Sequence, residues 1–267
     1  MGSRHADVVS RSSHSDLVLA IDTNLATAQT CAARYGCRYA RLLDEHVDVA
    51  IIATPSAAHF SATQHARTFA NWCLVEKPFV LPGQELSDAQ ILVSHPERFH
   101  AALPEHAPEE ISTFVARREG PPPPQMPADD VFLDLLVHDL DLLCQWTTPV
   151  ALLDASCERT ADGRVEAGTA RFALPSGGVA TLHVSRMAKQ RQRTLQWTSQ
   201  GEATSIELTT TYTPSDPTGT LDRQWDALLM TMRGETPVQP PATCADGSLV
   251  VALAAQALRY ATQHARG

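Results

Sequence analysis

The chain has 267 residues with a formal net charge of -9, and 43% of its residues are hydrophobic. A chain of this length can form one large domain or two modest ones with a buried core. The acidic balance argues against nucleic acid or an anionic membrane as the main partner, which favours a small-molecule ligand. The six scattered cysteines lack the paired spacing of a zinc site, and no stretch resembles a leader or a membrane span. We therefore expect a soluble, cytoplasmic protein with free thiols and no bound metal.

Predicted strands and helices alternate through the first hundred residues, which is the pattern of parallel βαβ units. The strands are apolar on both faces, as in a sheet that helices cover on both sides. We predict a Rossmann-like, doubly wound α/β domain over residues 1–100. Its strands are DLVLAID (16–22), DVAIIATPS (48–56) and WCLVEKP (72–78), and its helices cover 26–36, with Gly36 as the C-cap, and 57–70.

Polar side chains follow these strands, at the edge where open parallel sheets bind ligands. Asp22 ends the first strand, Thr54 and Pro55 the second, and Glu76 and Lys77 the third. An acid in the position of Asp22 can accept both ribose hydroxyls of NAD and repel the extra phosphate of NADP. Taken alone, Asp22 is equally compatible with a turn-forming or N-capping role before TNLATA.

The opening residues, MGSRHADVV, resemble only the last part of the glycine-rich element of a dinucleotide fold. There a strand leads into G-x-G-x-x-G, and the glycines let backbone amides approach the pyrophosphate. Gly2 corresponds to the last glycine, and His5 lies in the helix that follows. The first strand and the other glycines are not in this sequence, and between Pro78 and residue 94 there is room for about one abbreviated helix. Loss of the first strand would expose apolar edges of its neighbours.

Residues 101–267 follow a different pattern, with a proline-rich loop, GPPPPQMP, at 120–127. A strand is predicted at 111–118, and alternating segments at 167–186 and 193–210 predict two hairpins. An amphipathic helix is predicted at 249–265. We therefore predict an α+β domain over 101–267 with a mostly antiparallel open sheet.

The segment DLLVHDLDLL at 134–143 places acids and a histidine in an aliphatic helix. Asp134 lies one turn before His138, so its carboxylate can fix the tautomer of the ring and stabilise its charged form. Asp139 lies on another side of the helix and is expected to face water. By itself the Asp134–His138 pair is compatible with a buried structural ion pair as well as with a catalytic site.

Three motifs in this order resemble those of the Gfo/Idh/MocA oxidoreductases. AIIATPSAAH matches a strand that ends in Thr-Pro and is followed by His59, and LVEKP matches a Glu-Lys-Pro signature. DLLVHDLD matches Asp-x-Gly-x-His-x-x-Asp, with Leu136 in place of the glycine. More narrowly, SHPERFHAAL and SRMAKQRQRTLQW resemble UDP-N-acetylglucosamine 3-dehydrogenase-like members. The resemblance covers nearly the whole chain.

The resemblance implies a nicotinamide cofactor, NAD or else NADP, a sugar or nucleotide-sugar substrate, and a homo-oligomeric enzyme. The positions that match catalytic residues are Lys77, Asp134 and His138, with either His138 or Lys77 as the base for the hydroxyl proton. The matched cofactor contacts are Gly2, Asp22, Thr54, Pro55, His59, Glu76 and Lys77, and the expected substrate contacts are Arg98 and Arg186. A diphosphate could also contact Lys189, Arg191 and Arg193, although such a cluster is more often a solvated face.

Two functions are compatible with these residues. The first is an NAD(P)-dependent dehydrogenase, which the motifs around Lys77 and His138 favour. The second is a truncated, redox-inactive relative that acts as a binding or dimerisation module, or as a cofactor-independent lyase using the same lysine and histidine. The incomplete glycine-rich element is the feature that separates them.

Overall fold

A computed structural model describes residues 1–124, 126–208 and 219–264. The chain forms two compact units. Unit 1 contains residues 1–79, 86–99 and 219–244, and unit 2 contains 80–85, 100–208 and 245–264. The prediction of two continuous domains divided at residue 100 therefore needs correction, because the chain returns to unit 1 late in the sequence. No helix in the described ranges is long and apolar enough to cross a membrane.

The helices and strands follow one another in an order that separates an α/β half from a mostly β half. In chain order they are α1 (Gly2–Arg11), β1 (Leu19–Ile21), α2 (Leu25–Tyr35), β2 (Arg38–Ala40), β3 (Val47–Ile52), α3 (His59–Ala66), β4 (Ala70–Glu76), β5 (Ile91–Ser94), β6 (Ile111–Glu119), α4 (Val137–Trp146), β7 (Ala151–Arg159), β8 (Val165–Ala173), β9 (Val179–Ser185), β10 (Gln192–Ser199), β11 (Glu202–Glu207), α5 (Thr220–Met232), β12 (Ala242–Thr243) and α6 (Cys244–Gln263).

The strands of unit 1 confirm the predicted Rossmann-like class but form two separate sheets. β1 and β2 pair in parallel, and a four-stranded sheet has the order β12-β5-β4-β3. In a doubly wound sheet of order 3-2-1-4-5-6, strands β2, β1, β3, β4 and β5 match positions 3, 2, 4, 5 and 6. The division between β1 and β3 thus falls at the position of the first strand. Apolar residues of β3 are mostly half-buried, whereas those of β5 are fully buried.

Helix α5 supplies an apolar layer to unit 1, which explains why the chain returns there. Leu221, Trp225 and Leu228 pack in one cluster with Val8 of α1 and Leu74 of β4. Residues three and four apart on a helix share a face, and that face of α5 is buried. This helix was not predicted from the sequence.

The connection from β4 to β5 differs from the expected abbreviated helix. Residues 80–90 contain no helix, and Gly83 adopts a positive φ of 89° in a turn. The Gln84 N–H donates to Leu81 O over 3.0 Å. Pro82 disfavours a helix at this point because it lacks an N–H, and Gly83 readily adopts the left-handed conformation of the turn.

Unit 2 contains one continuous sheet of order β11-β10-β6-β9-β8-β7. All its pairs are antiparallel except β6 with β9. The predicted strand at 111–118, both hairpins and the last helix are confirmed. Residues 209 and 210 of the second hairpin and residue 265 of the last helix lie outside the described residues.

Strand alternation assigns the side chains of unit 2 to two faces. Phe114 of β6, Phe172 of β8 and Leu182 of β9 are fully buried in one cluster with leucines of α4 and with Val250 of α6. The even-numbered positions of β8 and β9 therefore lie on the helix-covered face. This parity places Glu166 of β8, and Arg186 just beyond β9, on the side of α4 and α6.

The chain enters α4 through a π-helical turn, Phe132–Leu136. Phe132 is fully buried, and a Cβ at Gly168 of β8 would lie 2.4 Å from its ring and 2.8 Å from Ser156 O. Gly168 thus leaves the space that the Phe132 ring occupies on the sheet. Such widened turns are often found at functional sites, and this one carries Asp134.

Candidate active site

The carboxyl ends of β1, β3 and β4 in unit 1 carry the polar residues expected at a ligand-binding edge. Thr54 and Pro55 follow β3 and are exposed. Lys77 follows β4 and is half-buried, in front of the cis peptide bond to Pro78. Thr54 is therefore exposed and Lys77 is partly exposed at this edge.

Asp22 makes a local turn at the end of β1. Its Oδ1 accepts a hydrogen bond from Asn24 N–H at 2.8 Å, and Asn24 is the N-cap of α2, with its Oδ1 accepting from Ala26 N–H at 3.1 Å. The turn-forming alternative for Asp22 is thus observed. Its carboxylate is half-buried and only Oδ1 makes this turn bond, so the turn role and a ribose contact are compatible.

The ring of His59 in α3 lies between the segments that follow β3 and β4, within hydrogen-bonding distance of a backbone carbonyl of each. Its Nδ1 lies 2.8 Å from Pro78 O and its Nε2 lies 2.9 Å from Thr54 O, and the side chain is almost fully buried. A carbonyl oxygen only accepts, so the neutral ring donates to one of them and the protonated ring to both. His59 holds Thr54 and Pro78 in place from behind.

Glu76 is the centre of a buried polar network. Its Oε1 lies 2.7 Å from His5 Nε2 and accepts from Ser94 Oγ at 3.0 Å. Gln224 Nε2 of α5 donates to Ser94 Oγ at 3.1 Å. Burial alone would raise the pKa of Glu76, but the hydrogen bond and charge of His5, the charge of Lys77 and the bond from Ser94 together lower it to about 2. Glu76 is therefore a carboxylate under all physiological conditions, directly before Lys77.

Residues of unit 1 fit part of a dinucleotide site. Helix α1 begins at Gly2, where a Cβ would meet only Ala53 Cβ at 3.8 Å. Asp22 follows β1 of the two-stranded sheet and can reach a ribose, whereas Thr54 and Lys77 follow the neighbouring strands β3 and β4 of the four-stranded sheet. The turn that holds a pyrophosphate precedes the last glycine of its motif, and Gly2 alone represents it here. The fit is therefore to the ribose and nicotinamide side of the cofactor.

In unit 2, Asp134 and His138 are both half-buried at the entry to α4. Asp134 Oδ2 accepts from Arg186 Nη1 at 3.0 Å, and its N–H donates to Asp130 O at 2.9 Å. Arg186 is therefore an observed ionic partner of Asp134, and the pairing of Asp134 with His138 stays a prediction. Between the two residues, the change from π-helical to α-helical winding alters the simple one-turn spacing.

Arg186 and Arg98 are both buried, with 3% and 5% of their surfaces exposed. The guanidinium of Arg186 bonds Glu166 and Asp134 inside unit 2. Its predicted substrate contact stays a prediction, beside these internal bonds. Arg98 lies in the 3-10 turn Pro96–Phe99 of unit 1. By contrast, Lys189 and Arg191 are exposed, as expected of a solvated face.

Asp139 does not face water as expected. It is 3% exposed and accepts from Arg118 Nε at 3.0 Å and from Arg118 Nη2 at 2.9 Å. Arg118 lies on the helix-covered face of β6, because Phe114 and Ala116 of the same parity are buried there. A paired, hydrogen-bonded carboxylate can be buried where a lone one cannot.

The thiols and possible metal ligands add no further site. All six cysteines are free, and burial raises the pKa of Cys73 to about 12, which keeps it protonated. Within residues 1–124, 126–208 and 219–264, no cluster of His, Cys, Asp and Glu side chains could hold a metal ion.

The family model for Gfo/Idh/MocA, described as an oxidoreductase family with an NAD-binding Rossmann fold, matches residues 1–102. UDP-N-acetylglucosamine 3-dehydrogenase from Acidithiobacillus ferrooxidans is 30% identical over 215 residues, which cover 73% of this chain and 67% of that protein. This chain belongs to the Gfo/Idh/MocA oxidoreductase family. The predicted family is thus confirmed.

Solved structures show the same fold as this Gfo/Idh/MocA protein. The structure of the A. ferrooxidans enzyme has a TM-score of 0.79 at 24% identity and covers 98% of this chain and 94% of its own. A putative myo-inositol dehydrogenase from Sinorhizobium meliloti has a TM-score of 0.80 at 19% identity with the same coverages. GenD2 from gentamicin A biosynthesis, solved in complex with NAD, has a TM-score of 0.78 at 18% identity and covers 98% and 91%. These similar proteins include sugar and nucleotide-sugar dehydrogenases.

Sequence reasoning about this Gfo/Idh/MocA chain missed the buried partners of its candidate residues. His5 was assigned to a helix but not to Glu76, and neither Glu166 nor Arg118 was singled out. A signal for Glu166 was present, because it shares strand parity with the apolar residues Ala170 and Phe172. A charged residue at a core-facing position predicts a buried partner of opposite charge.

Proposed function

We propose that this protein is an NAD-dependent oxidoreductase that transfers hydride between the nicotinamide and a secondary alcohol of a sugar or nucleotide-sugar. The observation that carries this proposal is the Glu76–Lys77 element. A fully buried carboxylate, held by His5 and Ser94, immediately precedes a half-buried lysine at the carboxyl end of a parallel strand. The buried His5–Glu76 pair lies directly beside Lys77 at this edge, and charged groups with shifted pKa values cluster at functional sites.

We assign the proton transfer to His138, with Asp134 stabilising the imidazolium that forms. Histidine is the side chain most often used as a general base, and a neutral imidazole nitrogen can accept the hydroxyl proton. Lys77 would hydrogen-bond the reacting oxygen as alkoxide character develops. Lys77, Asp134 and His138 are therefore the proposed catalytic group, with Lys77 as the alternative base.

The residues proposed to form the cofactor site, by direct contact or by positioning, are Gly2, Asp22, Thr54, Pro55, His59, Glu76 and Lys77. Bound NAD would supply the hydride acceptor. Asp22 would hydrogen-bond the adenosine ribose, and its charge would disfavour the phosphate of NADP. Thr54 and Lys77 would contact the cofactor directly, whereas His59 and Glu76 would hold these two residues in place.

The substrate class is proposed from the relatives, because the 30% identical protein is named for UDP-N-acetylglucosamine. The exposed cations Lys189 and Arg191 could attract a diphosphate. We also propose a homo-oligomer, since the sheet face of unit 2 away from α4 leaves Val115 and Leu153 about 40% exposed. Six free thiols are consistent with a reducing compartment such as the cytoplasm.

The test is titration of the purified protein with NAD, NADH, NADP and NADPH, followed by turnover assays at 340 nm with UDP-N-acetylglucosamine and myo-inositol. We expect saturable binding, tightest for the NAD pair. The variant His138→Ala should lose turnover by about 100-fold while cofactor affinity changes less than about threefold, since general-base catalysis contributes factors of this size. Absence of binding by all four dinucleotides would refute the dehydrogenase.

The alternative is a redox-inactive family member that serves as a binding or dimerisation module, or a lyase that needs no cofactor. The division of the parallel sheet between β1 and β3 favours it. The same titration decides between the two, because a binding module would retain a folded unit 2 and sugar affinity without dinucleotide affinity. A lyase would consume substrate with no change in absorbance at 340 nm.

A further inference from the structure

The guanidinium of Arg186 is held by three different acceptors inside unit 2. Nε donates to Glu166 Oε2 at 2.6 Å, Nη1 to Asp134 Oδ2 at 3.0 Å, and Nη2 to Asp129 O at 3.0 Å. The side chain is 4% exposed, and its backbone N–H continues the strand pairing by donating to Glu166 O at 2.8 Å. Both the backbone and the side chain of Arg186 are therefore fixed.

Two of the three acceptors of Arg186 lie on opposite sides of the start of the π-helical turn. Asp129 O belongs to the loop before the turn, and Asp134 is its central residue. One planar guanidinium thus spans the segment that leads to His138. Arginine suits this task better than lysine, because its donors form a rigid fork.

Two carboxylates, those of Asp134 and Glu166, accept hydrogen bonds from the guanidinium of Arg186 and share its positive charge. Glu166 is 2% exposed, and its second oxygen accepts from Arg164 Nε at 2.9 Å. Arg164 also interacts with the charge of Asp130. Arg164 and Arg186 thus lie beside the carboxylates of Glu166 and Asp134. Because Glu166 also carries a negative charge next to Arg186, it weakens the compensation of the Asp134 charge by Arg186.

We propose that Arg186 is a positioning residue for His138: it acts through Asp134, whose carboxylate it orients and partly neutralises. Glu166 also takes part, because its carboxylate accepts a hydrogen bond from the same guanidinium and competes with Asp134 for its positive charge. This inference rests on the proposed function for the catalytic meaning of His138. It rests on the same proposal for the pairing of Asp134 with His138, whereas the bond of Arg186 to Asp134 is observed and does not depend on turnover.

The charge set predicts opposite effects for two neutral replacements. In Arg186→Gln the carboxylate of Asp134 is no longer compensated, so it should stabilise protonated His138 more strongly. In Glu166→Gln the whole charge of Arg186 acts on Asp134, which should then stabilise protonated His138 less. A residue that only supports the fold would not shift the titration of His138 in two opposite directions.

The experiment is an NMR titration of the His138 ring in protein labelled with 13C-histidine, assigned with His138→Gln. Relative to the unchanged protein, we expect the His138 midpoint to rise by roughly 0.5 pH unit or more in Arg186→Gln and to fall by a similar amount in Glu166→Gln. The matched control is Glu119→Gln, the same change on the opposite face of the same sheet, where Glu119 bonds Arg117 and His183. It should leave the His138 midpoint within about 0.2 unit.

The same substitutions, made in protein that also carries Asp134→Asn, test whether Arg186 affects His138 through Asp134. If Arg186 acts through Asp134, the shifts should shrink by at least about half there, as expected of coupled residues in a double-mutant cycle. Shifts of full size in that background, shifts in one direction only, or midpoints equal to that of the control would overturn the proposal. If Arg186→Gln does not fold, the His138 midpoint is compared in Glu166→Gln with and without Asp134→Asn. A fall that shrinks by at least about half in the Asp134→Asn protein supports the proposal, and a fall of full size overturns it.

Turnover separates this inference from the proposed function. With an active enzyme, Arg186→Lys should lower kcat by about 10-fold with KM within threefold, because it keeps the charge and loses the fork. A protein without turnover whose His138 midpoint moves as expected would refute the dehydrogenase and leave the role of Arg186 intact. An active enzyme whose midpoint does not move would do the reverse.

Discussion

Unit 2 carries its candidate residues beside one continuous sheet, whereas unit 1 carries them at the ends of strands from two separate sheets. The sheet of unit 2 is continuous over six strands, and α4 and α6 close one large apolar cluster over it. The parallel sheet of unit 1 is divided between β1 and β3. Its candidate residues are instead held by polar contacts, such as those of His5 with Glu76 and of His59 with two carbonyl groups.

This difference indicates what each unit depends on. In unit 2, close packing fixes the helix that carries His138, so a change of shape should be costly and a change of charge should act locally. In unit 1, a few buried polar links connect α1, α5 and the ends of β4 and β5. Loss of a charge should therefore have the larger effect there.

The largest expected effect is that of overpacking unit 2 beneath the π-helical turn. Gly168→Val places a side chain where the ring of Phe132 and Ser156 O already lie. We expect a loss of about 4 kcal/mol in the free energy of unfolding, because neither the ring nor the strand can yield without opening the core. Urea unfolding measures it. The control is Gly120→Val, where a Cβ meets nothing within 4 Å; an equal loss in both variants would contradict the packing argument.

The next effect is electrostatic and belongs to unit 1. The pKa of Glu76 is lowered to about 2 in the folded protein, from a reference value of 4.5. A depressed carboxylate contributes stability that is fully present above its unfolded pKa and is lost as the pH falls from about 4.5 towards 2. The contribution is about 3 kcal/mol, since each pKa unit corresponds to about 1.4 kcal/mol.

Replacing His5 tests this contribution directly. In His5→Ala the acid loss of stability should begin at higher pH, because the pKa of Glu76 rises when its first partner is removed. Urea midpoints between pH 3 and 6 measure the shift, and hydrogen exchange of peptides from α1 and β4 locates it in unit 1. The exposed His14 provides the control, His14→Ala. Identical acid profiles for the two variants would show that His5 does not hold Glu76.

The sequence predicted those features that depend on local pattern. The hairpins at 167–186 and 193–210 followed from alternation around turn residues, and Gly36 ended α2 in the left-handed conformation expected of a C-cap. The candidate residues Lys77, Asp134 and His138 came from motifs that resemble those of the family, and their catalytic roles stay predictions. Each of these needs only neighbours in the chain.

What the sequence did not predict depends on partners that are distant in the chain. Asp139 was expected in water because its inward partner, Arg118, lies 21 residues away on β6. The bond of Arg186 to Glu166 was not predicted, because the strand parity of β8 and β9 was not followed beyond Ser185. Helix α5 joins unit 1 through Trp225 and Leu228, which pack on elements formed near the start of the chain. Only the assembled sheets determine these pairings.

The smallest effect separates the two roles of Asp22 at the weaker, two-stranded sheet of unit 1. Asp22→Asn keeps an oxygen that can accept from Asn24 N–H, so the turn survives and the free energy of unfolding should change by less than about 0.5 kcal/mol. Asp22→Ala removes the acceptor and should cost about 1 kcal/mol. If Asp22 also contacts ribose hydroxyls, both variants should bind NAD about 5- to 10-fold more weakly, because each lacks the charged acceptor. If only Asp22→Ala binds NAD more weakly, the turn that Asp22 forms would matter for binding, but the charge of its carboxylate would not. Asp22 would then position the backbone after β1 and make no contact of its own with the cofactor.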